Sequence, residues 1–131
     1  MTQGLSESLS RELAEHNVQV LLVEPGAFRT NFLSGSKNMA ASGAENYSVV
    51  KTVMDKFADW EATNGQPGDP KKAADRIVEA VVGTGMAGKL KGQVLRLPLG
   101  PDCLDRFEAK IKSLNADLDA VREVAMSTNL E

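Results

Sequence analysis

The stretch VQVLLVEPGAFRTNF, Val18 to Phe32, decides how the rest of the chain reads. Five of the six residues from Val18 to Val23 are apolar, and most are valine or leucine. A near-continuous apolar run, without the alternation of a half-exposed strand, reads as a strand of a parallel sheet covered on both faces. Pro25 and Gly26 end it, so a strand and its turn are expected over 18–26.

Working outward, the preceding GLSESLSRELAEHN carries Leu5, Leu9 and Leu13 at i, i+4 and i+8. That is one apolar stripe at helical period, and it predicts a helix over 1–17 that is already under way at Met1, with no N-cap before it. His16 and Asn17 suit its end, because asparagine tolerates a left-handed cap. His16 reads as a solvated terminal residue rather than a ligand or base. After the turn, residues 27–68 become irregular, with small polar residues and a weakly helical piece around Tyr47–Trp60. A segment of this kind reads as a lid or a substrate-type binding loop.

Asp69 as N-cap and Pro70 at the first helical position open a helix over 69–83. Ala74, Ile77, Val78 and Val81 form its apolar face, and Gly83 and Gly85 stop it. A second short strand follows at 92–99. Strand, loop, helix and strand together make a βαβ unit with an expected right-handed crossover. In the last helix, 102–126, Leu104, Phe107, Ile111, Leu114, Leu118, Val121 and Ala125 alternate spacings of three and four, a heptad seam. Asp102 is placed to cap its start. The seam suits either packing on its own domain or pairing with another chain.

The expectation is therefore a single truncated α/β domain over 1–131, a partial Rossmann-like (truncated doubly wound) unit. Its order is helix–strand–long loop–helix–strand–long C-terminal helix. The 42% hydrophobic and 25% charged content is that of an ordinary globular chain. A net charge of −3 without a basic stripe argues against nucleic acid as a partner. No apolar run approaches the roughly 18 residues that span a bilayer, and there is no signal-peptide pattern. The lone Cys103 rules out an internal disulfide and suits a reducing compartment, so a cytoplasmic location is expected. One histidine and one cysteine exclude a Cys/His zinc cage, and no metal site is expected.

YSVVK, Tyr47 to Lys51, sets the only tyrosine four residues before a lysine, on one face of a helix. This makes Tyr47 and Lys51 candidate catalytic residues. Taken in order, GLSESLSREL, VQVLLVEPGAFRTNF, GDPKKAADRIVEAV and QVLRLPLGPDCL resemble the short-chain dehydrogenase/reductase family. The resemblance runs over nearly the whole chain and matches the C-terminal half of a member. It implies a doubly wound parallel sheet that binds NAD(P) across the carboxyl ends of its strands. It also implies that the family's catalytic tyrosine and lysine lie just before the GLSESL helix, upstream of Met1. YSVVK then falls on the other side of the Pro-Gly turn, in the substrate loop.

By the same resemblance Pro25, Gly26, Phe28 and Thr30 stand where the family meets the nicotinamide amide, as a vestigial cofactor-binding turn. Tyr47, Phe57 and Trp60 would line the substrate pocket. Read as residues alone, the first group is a strand-ending turn with Thr30 as a cap, and the second is aromatics packed on a core. The family's Gly-rich phosphate turn and catalytic serine strand have no counterpart, since Gly83, Gly85 and Gly88 follow a helix rather than precede one.

The resemblance thus implies a protein with the substrate-loop and dimerisation half that is not a self-sufficient oxidoreductase. No cofactor is expected for the isolated chain, and NAD(P) is expected if the missing half is supplied. Three alternatives remain open. One is a small-molecule enzyme of isomerase, cyclase or lyase type using Tyr47, Lys51, Asp55, Glu45 or His16. The others are a fragment of an intact oxidoreductase and an interaction module for a full-length relative. A homo-oligomer or a partner chain is expected through Leu5, Leu9 and Leu13, which the resemblance places in a four-helix dimer interface, and through the Leu104–Ala125 seam.

Overall fold

The computed structural model describes residues 2–32 and 47–130. Helix α1 spans Thr2–Ala14, strand β1 Leu22–Pro25, α2 Ser48–Thr63, α3 Pro70–Val82, β2 Arg96–Leu99 and α4 Pro101–Met126. A 3₁₀ turn, Gly88–Leu90, links α3 toward β2. Of the expected loop over 27–68, residues 33–46, and with them Glu45, lie outside the described residues.

β1 and β2 pair in parallel, Leu22 opposite Arg96 and Pro25 opposite Leu99. The ladder runs on at both ends, with Leu22 N donating to Leu95 O at 2.7 Å and Gly26 N to Leu99 O at 2.7 Å. Both strands are shorter than the apolar runs that announced them (18–26 and 92–99), because a strand extends only where a neighbour supplies the ladder. Val18, beyond the paired part, is 47% exposed. Parallel pairing directs alternate residues to opposite edges. Leu95 and Leu99 face β1, so Pro98 turns its ring nitrogen outward, where an edge strand needs no donor.

Alternation also assigns the two faces. Leu97 joins Ala80 of α3 and Ala87 in a small buried core, with Leu21, Ile77, Leu90 and Leu99 packed against it. Arg96, on the opposite face, pairs with Glu24 on β1 and with Glu7 on α1. Helices thus lie on both sides of the two-stranded sheet, the layering of a doubly wound α/β unit.

Local chemistry sets the helix ends. Asp69 caps α3 by accepting from Lys71 N at 2.9 Å and Lys72 N at 3.3 Å, and Gly83 closes it at φ +91°. α1 stops at Ala14, three residues short of the expected end, and Asn17 turns the chain at φ +56°. α4 corrects a sequence expectation. Its cap is Gly100 at φ +97°, and Asp102 sits inside the first turn, where its carboxylate reaches across the fold instead of capping.

Burial is sparse. The chain exposes 10440 Å², against about 6700 Å² for a compact monomer of 14.0 kDa by the usual surface scaling. Leu5 and Leu9 of the α1 stripe are exposed. Every residue of α4 from Glu108 onward is exposed as well, so the heptad seam is not packed on its own domain. No helix among the described residues is long and apolar enough to cross a membrane.

Candidate functional site

A cavity of about 530 Å³ opens at the carboxyl ends of the two parallel strands. Open α/β sheets bind their ligands at this end, where the loops leaving the strands diverge. Pro25, Gly26, Ala27, Phe28 and Thr30 enter it from the end of β1, and Asp102 and Arg106 from the start of α4, just beyond β2. Phe57 and Trp60 of α2 and Ile77 of α3 complete a largely apolar lining.

Three contacts hold the β1 turn in place. Ala27 N donates to the Asp102 carboxylate at 3.0 Å. A Cβ at Gly26 would run into the same carboxylate, so a side chain there would force Asp102 to shift. The chain then passes beside Gly68, with Gly68 N donating to Ala27 O at 3.0 Å and Arg29 N to Gly68 O at 2.9 Å. Gly68 leaves room for the Phe28 ring, which a side chain would displace. Gln66, two residues before this short parallel bridge, lines the same cavity and is 5% exposed.

On the opposite wall, α2 ends at Asn64 in the left-handed conformation, φ +50°. Trp60 and Phe57 stack at 6.1 Å between centroids, and Lys56 Nζ lies 4.6 Å from the Trp60 ring centroid. The indole is thus fixed from two sides, with the ammonium over its electron-rich face.

The four residues of the turn, Pro25, Gly26, Phe28 and Thr30, share this cavity with Phe57 and Trp60. Tyr47 does not. It stands at the cap position of α2, 67% exposed, and its carbonyl receives Lys51 N at 2.9 Å. Lys51, Asp55 and His16 are exposed and do not line this cavity. Sequence reading missed Asp102 as the tie to the turn and Gln66 as a buried wall residue. Asn-Gly-Gln-Pro-Gly carries only turn signals, and nothing in it marks the glutamine for burial. No cluster of three or more metal-ligating side chains occurs among the described residues.

The backbone donors of the turn are largely spent. Gly26, Ala27 and Arg29 N–H groups are bonded within the chain, and Thr30 Oγ1 receives Phe32 N at 3.4 Å. The helix starts at this end suit a phosphate poorly, since α3 opens on Asp69 and α4 carries Asp102 in its first turn. The turn and the two helix starts at this end therefore do not fit a pyrophosphate.

No family model matches the chain. It is 31% identical over 99 residues to the uncharacterized oxidoreductase YusZ of Bacillus subtilis strain 168, covering 75% of this chain and 33% of that protein. Against the oxidoreductase CalM of Penicillium decumbens it is 27% identical over 129 residues, 94% of this chain and 40% of the relative. The chain thus spans between a third and two-fifths of the curated relatives it matches. In fold, it superimposes on the crystal structure of a short-chain dehydrogenase from Streptomyces avermitilis with a TM-score of 0.66 and 28% identity, over 98% of this chain and 43% of that one. In sequence and in fold, these residues correspond to part of a short-chain dehydrogenase/reductase.

Proposed function

We propose that the chain forms the substrate-side wall and the nicotinamide-facing turn of an NAD(P)-dependent oxidoreductase site. The observation that carries this is the convergence of the Pro25–Thr30 turn with Phe57 and Trp60 on one apolar cavity at the carboxyl ends of the strands. NAD(P) supplies or accepts the hydride in such a site. The residues of this chain orient the ring-bearing ends: the turn closes one side, and Phe57 and Trp60 keep water from the other. The phosphate cradle comes, in this reading, from strands on the far edge of β1, and the proton-transferring tyrosine and lysine from the segment leading into the GLSESL helix. Val23 turns its backbone groups to that edge, and no strand among the described residues meets them there.

The polypeptide alone should show no saturable NADPH binding up to about 1 mM, the weak-affinity limit of a few kcal/mol. Co-expression with a segment carrying the Gly-rich turn, serine and Tyr-x-x-x-Lys of a short-chain dehydrogenase should give a soluble complex that binds NADPH. NADPH oxidation by the 131-residue chain alone would sink the reading. A reducing cytoplasm is the compartment we propose, in keeping with the lone thiol of Cys103, buried against Glu24 O at 3.0 Å.

A second reading concerns assembly, and the exposed seam of α4 favours it. We propose that α4 pairs antiparallel with α4 of a second copy. In one register Leu104 meets the partner's Val121, Phe107 the partner's Leu118 and Ile111 the partner's Leu114, so every layer is apolar. The same register sets Lys110 beside the partner's Asp117 twice over, with no like-charged pair. Shifting by one heptad brings two Lys110 or two Asp117 side chains together. Sedimentation equilibrium tests this with Lys110→Asp and Asp117→Lys. Each should weaken the dimer, and the double exchange should restore it. A parallel pairing would place Asp117 beside the partner's Arg122 instead, and the double exchange would then fail to restore the dimer.

A further inference from the structure

Helix α2 has no buried residue, although its apolar side chains share one face. At 100° per residue, Val49, Val50, Val53, Met54, Phe57 and Trp60 fall within one arc of about 140°. Phe57 and Trp60 seat the C-terminal half of the helix on the cavity. The N-terminal half carries the arc past it, leaving Val49 at 74% exposure and Val53 and Met54 exposed as well. Phe32, which also lines the cavity, is as exposed as Val49. Glu61 interrupts the arc only on the half that meets the cavity.

The charges of α2 are sorted by sign around this arc. Lys56 borders it on one side and Lys51 on the other, while Asp55 and Asp59 stand between them on the opposite face. We propose that α2 lies on an anionic lipid surface, with Val49, Val53 and Met54 at the acyl boundary and the mouth of the cavity turned toward the membrane. Lysines at the border run their stems along the apolar layer and reach lipid phosphates with their ammonium groups, and the aspartates stay in water. Tyr47, exposed at the start of the helix, has the amphipathic ring that suits the headgroup level. A partner helix covers a narrower seam than this arc, whereas a flat surface meets its whole width. The chain's net charge of −3 gives no long-range attraction, so the two lysines act at short range.

Flotation of the 131-residue chain with vesicles tests this, using phosphatidylcholine alone and phosphatidylcholine with about one-third phosphatidylglycerol. Wild type should bind the anionic vesicles at least about tenfold more tightly than the neutral ones, the share of two lysines at the surface. Val53→Glu should weaken that binding by at least about tenfold and Lys51→Gln by about fivefold, while Asp55→Asn on the opposite face should not weaken it. Lys51 is exposed, so its variant reads the surface with the fold intact, and its thermal unfolding should match wild type. Emission from a chain carrying Val53→Trp and Trp60→Phe should be quenched by brominated acyl chains. Equal binding to both vesicle types, or binding that Val53→Glu and Lys51→Gln leave unchanged, would overturn the proposal. So would wild type that ignores vesicles yet self-associates in sedimentation until Val53→Glu abolishes it, since a second copy would then cover the stripe. These outcomes leave the coenzyme reading untouched, because its own test is NADPH binding by the complemented complex.

Discussion

Asp102 and Ala27, 75 residues apart in sequence, are joined by a hydrogen bond of 3.0 Å from the Ala27 N–H to the Asp102 carboxylate. The bond ties the turn leaving β1 to the first turn of α4 and so fixes one rim of the cavity. Its acceptor is charged and only 21% exposed, which makes it stronger than an ordinary amide bond. Arg106, 3.7 Å away and largely exposed, adds little. Asp102→Ala should cost about 1–3 kcal/mol in urea unfolding. Gly26→Ala should cost a similar amount in wild type, because its Cβ meets the same carboxylate, and much less in the Asp102→Ala background. Additive costs in the double-mutant cycle would show that the carboxylate does not shape the turn.

Arg96 holds α1 to the sheet through two carboxylates, Glu24 at 3.1 Å and Glu7 on the helix. Glu24 is 17% exposed and Glu7 45%, so the two pairs are unequal. Arg96→Leu should destabilise by about 1–3 kcal/mol, chiefly by taking the guanidinium away from the mostly buried Glu24 carboxylate. Glu7→Gln should cost less than about 0.5 kcal/mol, as exposed pairs do. Arg96→Lys should behave like Arg96→Leu more than like wild type, since one ammonium cannot present the guanidinium fork to both partners. Hydrogen exchange along α1 is the sensitive readout, with protection lost there before it is lost in α3.

The cap of α3 makes a cleaner local test. Asp69→Ala removes the acceptor for two backbone donors and should lower stability by about 1 kcal/mol. Gly83→Ala forces a Cβ into the left-handed region at φ +91° and against Lys91, and should cost about 1 kcal/mol or more. Thermal unfolding followed by circular dichroism measures both.

That these two ends were legible in the sequence, while Asp102 and Gln66 were not, has a physical reason. Asp69, Pro70 and Gly83 act on donors and acceptors within three or four residues, so their chemistry is written locally. The element order was legible for the same reason, because hydrophobic period is a local signal. Asp102 has the sequence context of a cap yet serves a backbone group 75 residues away, which only the parallel pairing of β1 and β2 brings near. Gln66 lies two residues before the bridge between Phe28 and Gly68, another pairing of distant segments. The strand ends were overdrawn because an apolar run reports what could be covered, not which neighbour is present.

Tyr47 offers the sharpest contrast between spacing and position. Its separation from Lys51 matches a catalytic pair, yet the side chain is 67% exposed at the start of α2 and lines no part of the cavity. Trp60, three turns further along the same helix, does line it. In a complex complemented with the nucleotide-binding half, Tyr47→Phe and Lys51→Met should leave kcat/KM within about twofold of wild type. Trp60→Ala should raise KM by about tenfold, the worth of roughly 1.4 kcal/mol of lost apolar contact, with a smaller change in kcat. A group that takes the substrate proton would show the opposite pattern, a collapse of kcat with KM nearly unchanged. If Tyr47→Phe produced that pattern, the proton donor would belong to this chain, and the complementing half would no longer be needed to supply it.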